Sequence, residues 1–121
     1  MLCIKECNGK GRGVFSNFKI SKGATIEKAP VIILPLAQWD NVEKTILNDY
    51  CYNWGTDAAV GLGFSSLYNH SYNPNACYLK KFEEGFLEII ALKDIQEDEE
   101  ITVNYNGKPE DNTPVWFDVQ A

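Results

Sequence analysis

The sequence contains little of what metal-binding and disulfide-rich domains need. His70 is its only histidine, and the four cysteines (Cys3, Cys7, Cys51 and Cys77) include no CxxC pair. Structural zinc sites draw four cysteine or histidine ligands from short, paired spacings, so we expect no metal site. The chain is rich enough in apolar residues to fold without crosslinks, and we expect no signal peptide ahead of it. Free thiols in a reducing compartment are therefore the expected state.

Long apolar runs and an excess of positive charge are absent as well. The longest apolar run, residues 30–37, contains two prolines and is far too short to span a bilayer. Eleven Lys and Arg residues stand against seventeen Asp and Glu residues, which gives a formal net charge of -6. Strong nucleic-acid binding needs clustered basic residues, so we expect no direct nucleic-acid partner, and we expect no membrane contact. The acidic balance suits a basic partner such as a lysine-rich tail, although solubility alone also explains it.

What the sequence does contain is enough apolar material for one packed domain. Its 121 residues are 45% hydrophobic, and that length fits a single domain. Apolar residues at helical spacing predict a helix over residues 36–47, or a shorter one capped by Asp40 or Asn41. Alternating or β-branched runs predict strands over residues 2–6, 24–28, 31–34, 76–82, 86–92 and 101–105, with a strand and a short helical turn over residues 58–67. The fold class is therefore mainly β, with small irregular sheets and one or two short helices.

Three polar segments stand out against this background. Residues 8–13 form a glycine-dense loop whose backbone can approach a ligand closely, but they lack the following helix that a dinucleotide-binding loop must open. Residues 69–75 hold three asparagines and a proline, which favour hydrogen bonds from side chains to the backbone. Tyr105 ends the last predicted strand. Taken alone, such a tyrosine is usually a packing residue, and a lone histidine such as His70 is usually structural.

Together these segments resemble the SET-domain family. Asn69-His70-Ser71 followed by Pro74-Asn75 fills every fixed position of the family motif Asn-His-Ser-x-x-Pro-Asn. The second family motif is similar to Ala91-Leu92-Lys93-Asp94-Ile95 together with Glu99-Glu100-Ile101-Thr102 and Tyr105. The opening segment of the family is similar to Gly11-Arg12-Gly13-Val14-Phe15. One such match would be a weak signal. Three matches in the family's order, which extend over most of the chain, are a strong one.

The resemblance implies a β-clip (SET) fold for a single domain over residues 1–121. Its small curved β-sheets would surround a pseudoknot-like crossing of the C-terminal segment, with residues 106–121 as a short closing segment. The compact length resembles the minimal SET proteins of viruses and bacteria, and since the viral proteins are dimers, a homodimer is expected. The sequence departs from the family at Asp98, where glycine is common, and at Asn106, which separates Tyr105 from Gly107. No cysteine cluster follows Tyr105, so the tail or a partner chain must close the site.

The resemblance also implies an activity, the transfer of a methyl group from S-adenosylmethionine to a lysine ε-amine in a protein. A histone tail is one candidate substrate, and the cytoplasm or a host nucleus is the expected location of a soluble, intracellular enzyme. Backbone groups near the start of the chain, one asparagine side chain, the main chain of the histidine and an aromatic tail residue would hold the cofactor. These residues are Lys10, Gly11, Arg12, Gly13, Asn69, His70 and Trp116.

Catalysis would depend on one tyrosine and an aromatic channel. Tyr105 would be the catalytic residue, and Tyr50, Tyr52, Phe64 and Phe117 would line the channel. A lysine has a reference pKa near 10.4, so only about one amine in a few thousand is neutral at pH 7. Apolar walls favour the neutral, nucleophilic amine, and aromatic faces tolerate the ammonium before and after transfer. Each of these aromatic residues could equally be part of the core.

A second function stays open from the sequence. A non-catalytic module could keep the SET fold and bind a basic peptide or a partner protein on its acidic surface. The short chain and the altered junction at Tyr105-Asn106-Gly107 favour this alternative. A stability change on addition of S-adenosylmethionine would distinguish the two, because the module needs no cofactor.

Overall fold

Short β-strands make up most of the protein. The computed structural model describes residues 1–7 and 9–115, and within them one helix, α1 (Leu36–Val42), and one 3-10 helix (Ile46–Tyr50) interrupt the strands. The strands are β1 (Leu2–Cys7), β2 (Gly11–Ser16), β3 (Thr25–Leu34), β4 (Cys51–Trp54), β5 (Asp57–Gly61), β6 (Asn69–His70), β7 (Ala76–Lys81), β8 (Phe86–Ala91) and β9 (Glu100–Val103). No helix in these residues is long and apolar enough to cross a membrane. The predicted mainly β class with short helices is confirmed.

The strands form two small sheets. One has the order β1-β2-β9-β6, and the other has the order β4-β5-β3-β8-β7. Neighbouring strands are antiparallel except for β6 and β9, which run parallel. A parallel pair cannot be closed by a tight turn, so a long connection must separate its members. That connection is the β7–β8 hairpin, and the C-terminal strand β9 therefore returns to lie beside the Asn69–Asn75 segment.

The core lies where the alternating strands turn their apolar side chains inward. In β8, Leu87, Ile89 and Ala91 are buried while the residues between them are partly exposed, as a period of two requires. Ile101 and Val103 of β9 are buried in the same cluster. The predicted hairpin is present, and its turn contains Gly85 at a φ of 76°, which a residue without a Cβ adopts readily.

Several predicted elements differ from the observed ones. The strands predicted over residues 24–28 and 31–34 are one continuous strand, β3. It pairs with β8 as far as Pro30 and with β5 from Val31 onward. Proline has no N–H to donate, and it is tolerated here because it lies where β3 passes from one partner to the other. The predicted loop over residues 8–13 is also shorter, because Gly11 already begins β2. β4 was not assigned from its aromatic-rich sequence.

The predicted helix over residues 36–47 ends early. It stops at Val42, begins after Pro35 rather than at Asp40 or Asn41, and has no buried residue. The Thr45 hydroxyl oxygen accepts a hydrogen bond from Leu47 N at 3.2 Å, which starts a separate 3-10 helix. Threonine favours such local bonds over a helix interior. With no core contact to hold a longer helix, this local bond decides where α1 ends.

Asn75 joins the two motif segments through its side chain. Its Nδ2 donates to Glu99 Oε2 at 3.0 Å and to the Glu100 carbonyl at 2.8 Å, and its Oδ1 accepts from Thr102 N at 2.9 Å. The residue is 6% exposed. An amide in this place therefore satisfies backbone groups of β9 that water cannot easily reach. The Asn69–Asn75 segment and β9 are tied together by this side chain as well as by strand pairing.

We predict that Asn75→Ala lowers the free energy of unfolding by about 3 kcal/mol, because three hydrogen bonds are lost and Thr102 N is left buried without an acceptor. Urea unfolding followed by circular dichroism measures the change. Asn73→Ala is the matched control, since Asn73 is exposed and the hydrogen bond recorded for it uses its backbone N. Equal stability of the two variants would contradict the role given to Asn75.

Candidate active site

Five of the six tyrosines surround a single cavity. It has a volume of about 300 Å³ and lies between the 3-10 helix, β4, β7 and the segment after β9. The tyrosines that line it are Tyr50, Tyr52, Tyr68, Tyr78 and Tyr105. The rings of Tyr52 and Tyr78 pack edge to face, with centroids 4.9 Å apart. A cavity with aromatic walls and a few polar groups is typical of a site for a long, partly apolar side chain.

Tyr105 is fixed at this cavity by three hydrogen bonds. Its hydroxyl donates to the Tyr68 carbonyl at 2.7 Å, and its carbonyl accepts from the Tyr78 hydroxyl at 3.2 Å. Its backbone N donates to His70 Nδ1 at 2.9 Å. Nδ1 must be unprotonated to accept, which agrees with the lowered pKa that burial gives His70. The imidazole is therefore a neutral support for the tyrosine.

Burial keeps the phenols of this cavity protonated. It raises the pKa of Tyr105 to about 12, with smaller contributions from Tyr50, Glu100 and Tyr78. It also raises the pKa of Tyr78 to about 12. At neutral pH these groups act as hydrogen-bonding groups and not as bases.

Tyr68 holds its carbonyl toward Tyr105 from a buried position. The side chain is 1% exposed, and its hydroxyl donates to Glu27 Oε1 at 2.8 Å. Glu27 also accepts from Phe64 N, at 3.3 Å between N and Oε2. Partial burial raises the pKa of Glu27, although the hydrogen bonds from Tyr68 and Phe64 oppose this shift. The hydrogen bonds from Tyr68 and Phe64 to Glu27 fix the loop before β6 against β3.

A polar cradle lies on the other side of β6. Asn69 Nδ2 donates to the Arg12 carbonyl at 2.9 Å and to Glu100 Oε2 at 2.7 Å. Lys10 Nζ lies 3.1 Å from Glu100 Oε1. A Cβ on Gly13 would lie 2.5 Å from Cys7 Sγ and 2.6 Å from Glu100 Oε2, so any larger residue here would displace these two side chains. We name Lys10, Gly13, Asn69 and Glu100 the polar cradle.

The structure brings together most of the residues predicted from the sequence. Lys10, Gly13 and Asn69 meet in the polar cradle, with Gly11 and Arg12 beside them at the start of β2. His70 connects this side to Tyr105. Of the four predicted channel residues, Tyr50 and Tyr52 line the cavity. Phe64 does not; it packs against the core because its loop is held to Glu27. Trp116 and Phe117 lie outside the described residues.

Sequence reasoning missed several residues of this region, of which four matter most for the site. Tyr68, Tyr78 and Lys80 line the cavity, and Glu100 completes the polar cradle. Tyr78 and Lys80 could have been found from the period of two in β7, because they share a face with buried Ala76. Nothing in the local sequence marks Tyr68, since its burial depends on contacts with the distant β3.

We predict that Tyr105→Phe leaves unchanged the number of tyrosines that ionise below about pH 11 in the folded protein, because burial holds this phenol protonated. Ultraviolet absorbance during an alkaline titration measures the number. In the wild-type protein, the folded state binds the hydroxyl proton of Tyr105 more tightly than the unfolded state does. Its contribution to stability is therefore complete below about pH 10 and is lost as the pH rises toward 12. Loss of one ionising phenol below about pH 11 in the variant would contradict the assignment.

The comparisons with known proteins agree with this geometry. The family described as "SET domain" matches residues 11–106. A Schizosaccharomyces pombe protein named "Histone-lysine N-methyltransferase, H3 lysine-37 specific" is 28% identical over 120 residues, which cover 98% of this chain and 78% of that protein.

Solved structures show the same fold. A candidate histone methyltransferase of Plasmodium falciparum is 32% identical, with a TM-score of 0.69 over 86% of this chain and 91% of that one. A humanised mutant of the Chaetomium thermophilum Polycomb Repressive Complex 2, bound to the inhibitor GSK126, has a TM-score of 0.73 at 18% identity. It is covered over 15% of its chain, against 87% of this one, and this likeness shows the fold alone.

The predicted family and enzyme class are both confirmed, and the alternative of a non-catalytic module is not retained. The match over residues 11–106 includes Gly13, Asn69 and Glu100 of the polar cradle and all five tyrosines that line the cavity. The chain belongs to the SET-domain family and is a protein-lysine N-methyltransferase.

Proposed function

We propose that this enzyme transfers methyl groups from S-adenosylmethionine to lysines of a histone-like substrate, with Tyr105 as the catalytic residue. The observation that carries the proposal is the position of the Tyr105 hydroxyl in an aromatic cavity, with the polar cradle on the opposite side of β6. The substrate class is supported by two relatives, one named for histone H3 lysine 37 and one a candidate histone methyltransferase. The net charge of -6 suits a basic tail.

The polar cradle fits the amino-acid end of the cofactor. Because Gly13 has no Cβ, the backbone of β2 can approach a bound ligand closely. Gly11 has a φ of 71°, a backbone conformation that residues with a side chain rarely adopt. Backbone groups from Lys10 to Gly13, the Asn69 side chain and the His70 main chain would hold the cofactor. When bound, it supplies an electrophilic methyl group on a sulfonium.

The cavity would favour the reactive form of the lysine. Its tyrosine rings offer little solvation to a charged ammonium, which lowers the pKa of a lysine that enters, and their faces still attract a cation. The Tyr105 proton is directed to the Tyr68 carbonyl, so lone pairs of the Tyr105 oxygen can accept from the amine. Tyr105 would then align the attacking nitrogen rather than remove its proton.

The closing role of residues 106–121 belongs to the same proposal. Asn106 Nδ2 donates to the Thr113 carbonyl at 2.7 Å, and the Tyr72 hydroxyl donates to it at 3.1 Å. The described part of this segment, residues 106–115, is thereby held beside the Asn69–Asn75 segment. Trp116 and Phe117 follow it directly in sequence, and we propose that they complete the adenine cover and the channel wall. The homodimer and the location in the cytoplasm or a host nucleus stay predictions from the resemblance.

Calorimetric titration tests the cofactor assignment. We expect saturable binding of S-adenosylmethionine and of its demethylated product to the purified protein, and loss of most of that binding in Asn69→Ala, because the side chain and its bond to Arg12 are removed. Asn41→Ala, an exposed change in α1, is the matched control and should bind normally. A folded wild-type protein that binds neither compound would refute the cofactor assignment.

The catalytic assignment predicts that Tyr105→Phe lowers kcat about 100-fold with little change in cofactor affinity, since one positioned polar group is lost at the reacting centre. Methyl transfer to histones, followed by mass spectrometry, measures the rate. Asn41→Ala, the exposed change in α1, is again the control, and it should keep activity within a few-fold. Normal turnover by Tyr105→Phe would show that another group performs this role.

A further inference from the structure

One ion pair of this protein is much less exposed than the others near it. The side chains of Lys10 and Glu100 are 18% and 16% exposed, whereas those of the neighbouring pair in sequence, Lys5 and Asp98, are 45% and 60% exposed. Partial burial of two charges costs desolvation, and such a pair adds little stability unless further hydrogen bonds satisfy it. A shielded pair with remaining access from solvent is therefore a candidate for binding a charged ligand.

Glu100 also fixes the orientation of Asn69. The Asn69 amide nitrogen donates to the Arg12 carbonyl and to the Glu100 carboxylate, both of which can only accept, and it makes a longer contact of 3.8 Å with Cys7 Sγ. The NH₂ side of the amide must therefore face them, and its oxygen must face away. No donor to Asn69 Oδ1 is recorded among residues 1–7 and 9–115. The polar cradle thus presents one ammonium, one carboxylate and one amide oxygen close together.

We propose that Glu100 is a further ligand-binding residue, which together with Lys10 recognises an α-amino-acid zwitterion. Lys10 takes the carboxylate of the ligand, and Glu100 takes its ammonium with Asn69 Oδ1 as a second acceptor. This inference rests on the proposed function, in which the methionine end of the cofactor carries that zwitterion. The backbone of Gly11 to Gly13 would contact the cofactor, and the charges of Lys10 and Glu100 would in addition select ligands that carry both an ammonium and a carboxylate.

The arrangement is prepared before the ligand arrives. Lys10 and Glu100 neutralise each other at 3.1 Å, so neither is an isolated buried charge in the free protein. A zwitterion can insert its own two charges next to theirs and keep the local net charge at zero. Because the side chains are already ordered by mutual contacts, little conformational entropy is lost on binding.

Three ligands separate the parts of this recognition. S-adenosylmethionine has both charges of the amino acid, decarboxylated S-adenosylmethionine keeps the ammonium alone, and 5′-methylthioadenosine has neither. We expect Glu100→Gln to weaken binding of the first two at least tenfold, while the affinity for 5′-methylthioadenosine changes less than twofold. Lys10→Met should weaken binding of S-adenosylmethionine at least fivefold and leave the decarboxylated compound within twofold.

Asp98→Asn is the matched control for Glu100→Gln. Each change turns a carboxylate into an amide and breaks one lysine contact, at positions two residues apart, and asparagine tolerates the φ of 62° at Asp98. The control should bind all three ligands as the wild-type protein does. Retained affinity of Glu100→Gln for 5′-methylthioadenosine also shows that this variant is folded.

Calorimetry on the full chain gives distinguishable outcomes. Unchanged affinity of Glu100→Gln for S-adenosylmethionine would overturn the inference and leave the proposed function standing. An equal loss for all three ligands would also overturn it, because Glu100 would then only support the fold. If the wild-type protein binds none of them, the cofactor assignment itself fails.

Discussion

The site depends on the parallel pairing of β6 with β9. Asn69 lies opposite Thr102 and His70 lies opposite Val103, so two residues of β6 are enough to join segments about thirty positions apart. Successive side chains of a strand point to opposite faces. Asn69 therefore reaches the polar cradle while His70 supports Tyr105. A two-residue strand separates the ion-paired part of the site from the tyrosine-lined part.

The two sides of β6 differ in chemistry because they are solvated differently. In the polar cradle, Lys10, Glu100 and Asn69 compensate one another by short hydrogen bonds. In the cavity, the phenols of Tyr105 and Tyr78 donate to backbone carbonyls, and burial holds Tyr105 in its neutral form. Methyl transfer to lysine needs this division, because a charged cofactor must be held firmly while the attacking amine must lose its charge.

Local sequence predicted those parts of the fold that local physics controls. The β7–β8 hairpin was placed to within one residue at its strand ends, because alternation and a turn glycine both act at short range. Tyr105 and three residues of the polar cradle, Lys10, Gly13 and Asn69, were reached through motif resemblance. The cavity position of Tyr68 was not predicted, and Phe64 was wrongly placed in the channel. Both positions depend on long-range hydrogen bonds to Glu27 of β3. The continuity of β3 through Pro30 likewise depends on its change of partner strand.

The most direct measurement is a crystal structure of the enzyme with demethylated cofactor and a lysine-containing histone peptide. The account predicts the amino-acid end of the cofactor in the polar cradle, and the lysine nitrogen in the tyrosine-lined cavity within hydrogen-bond reach of the Tyr105 oxygen. A cofactor bound away from Gly13 and Asn69 would contradict the account. A lysine that reaches the cofactor by a path that avoids Tyr105 would contradict it equally.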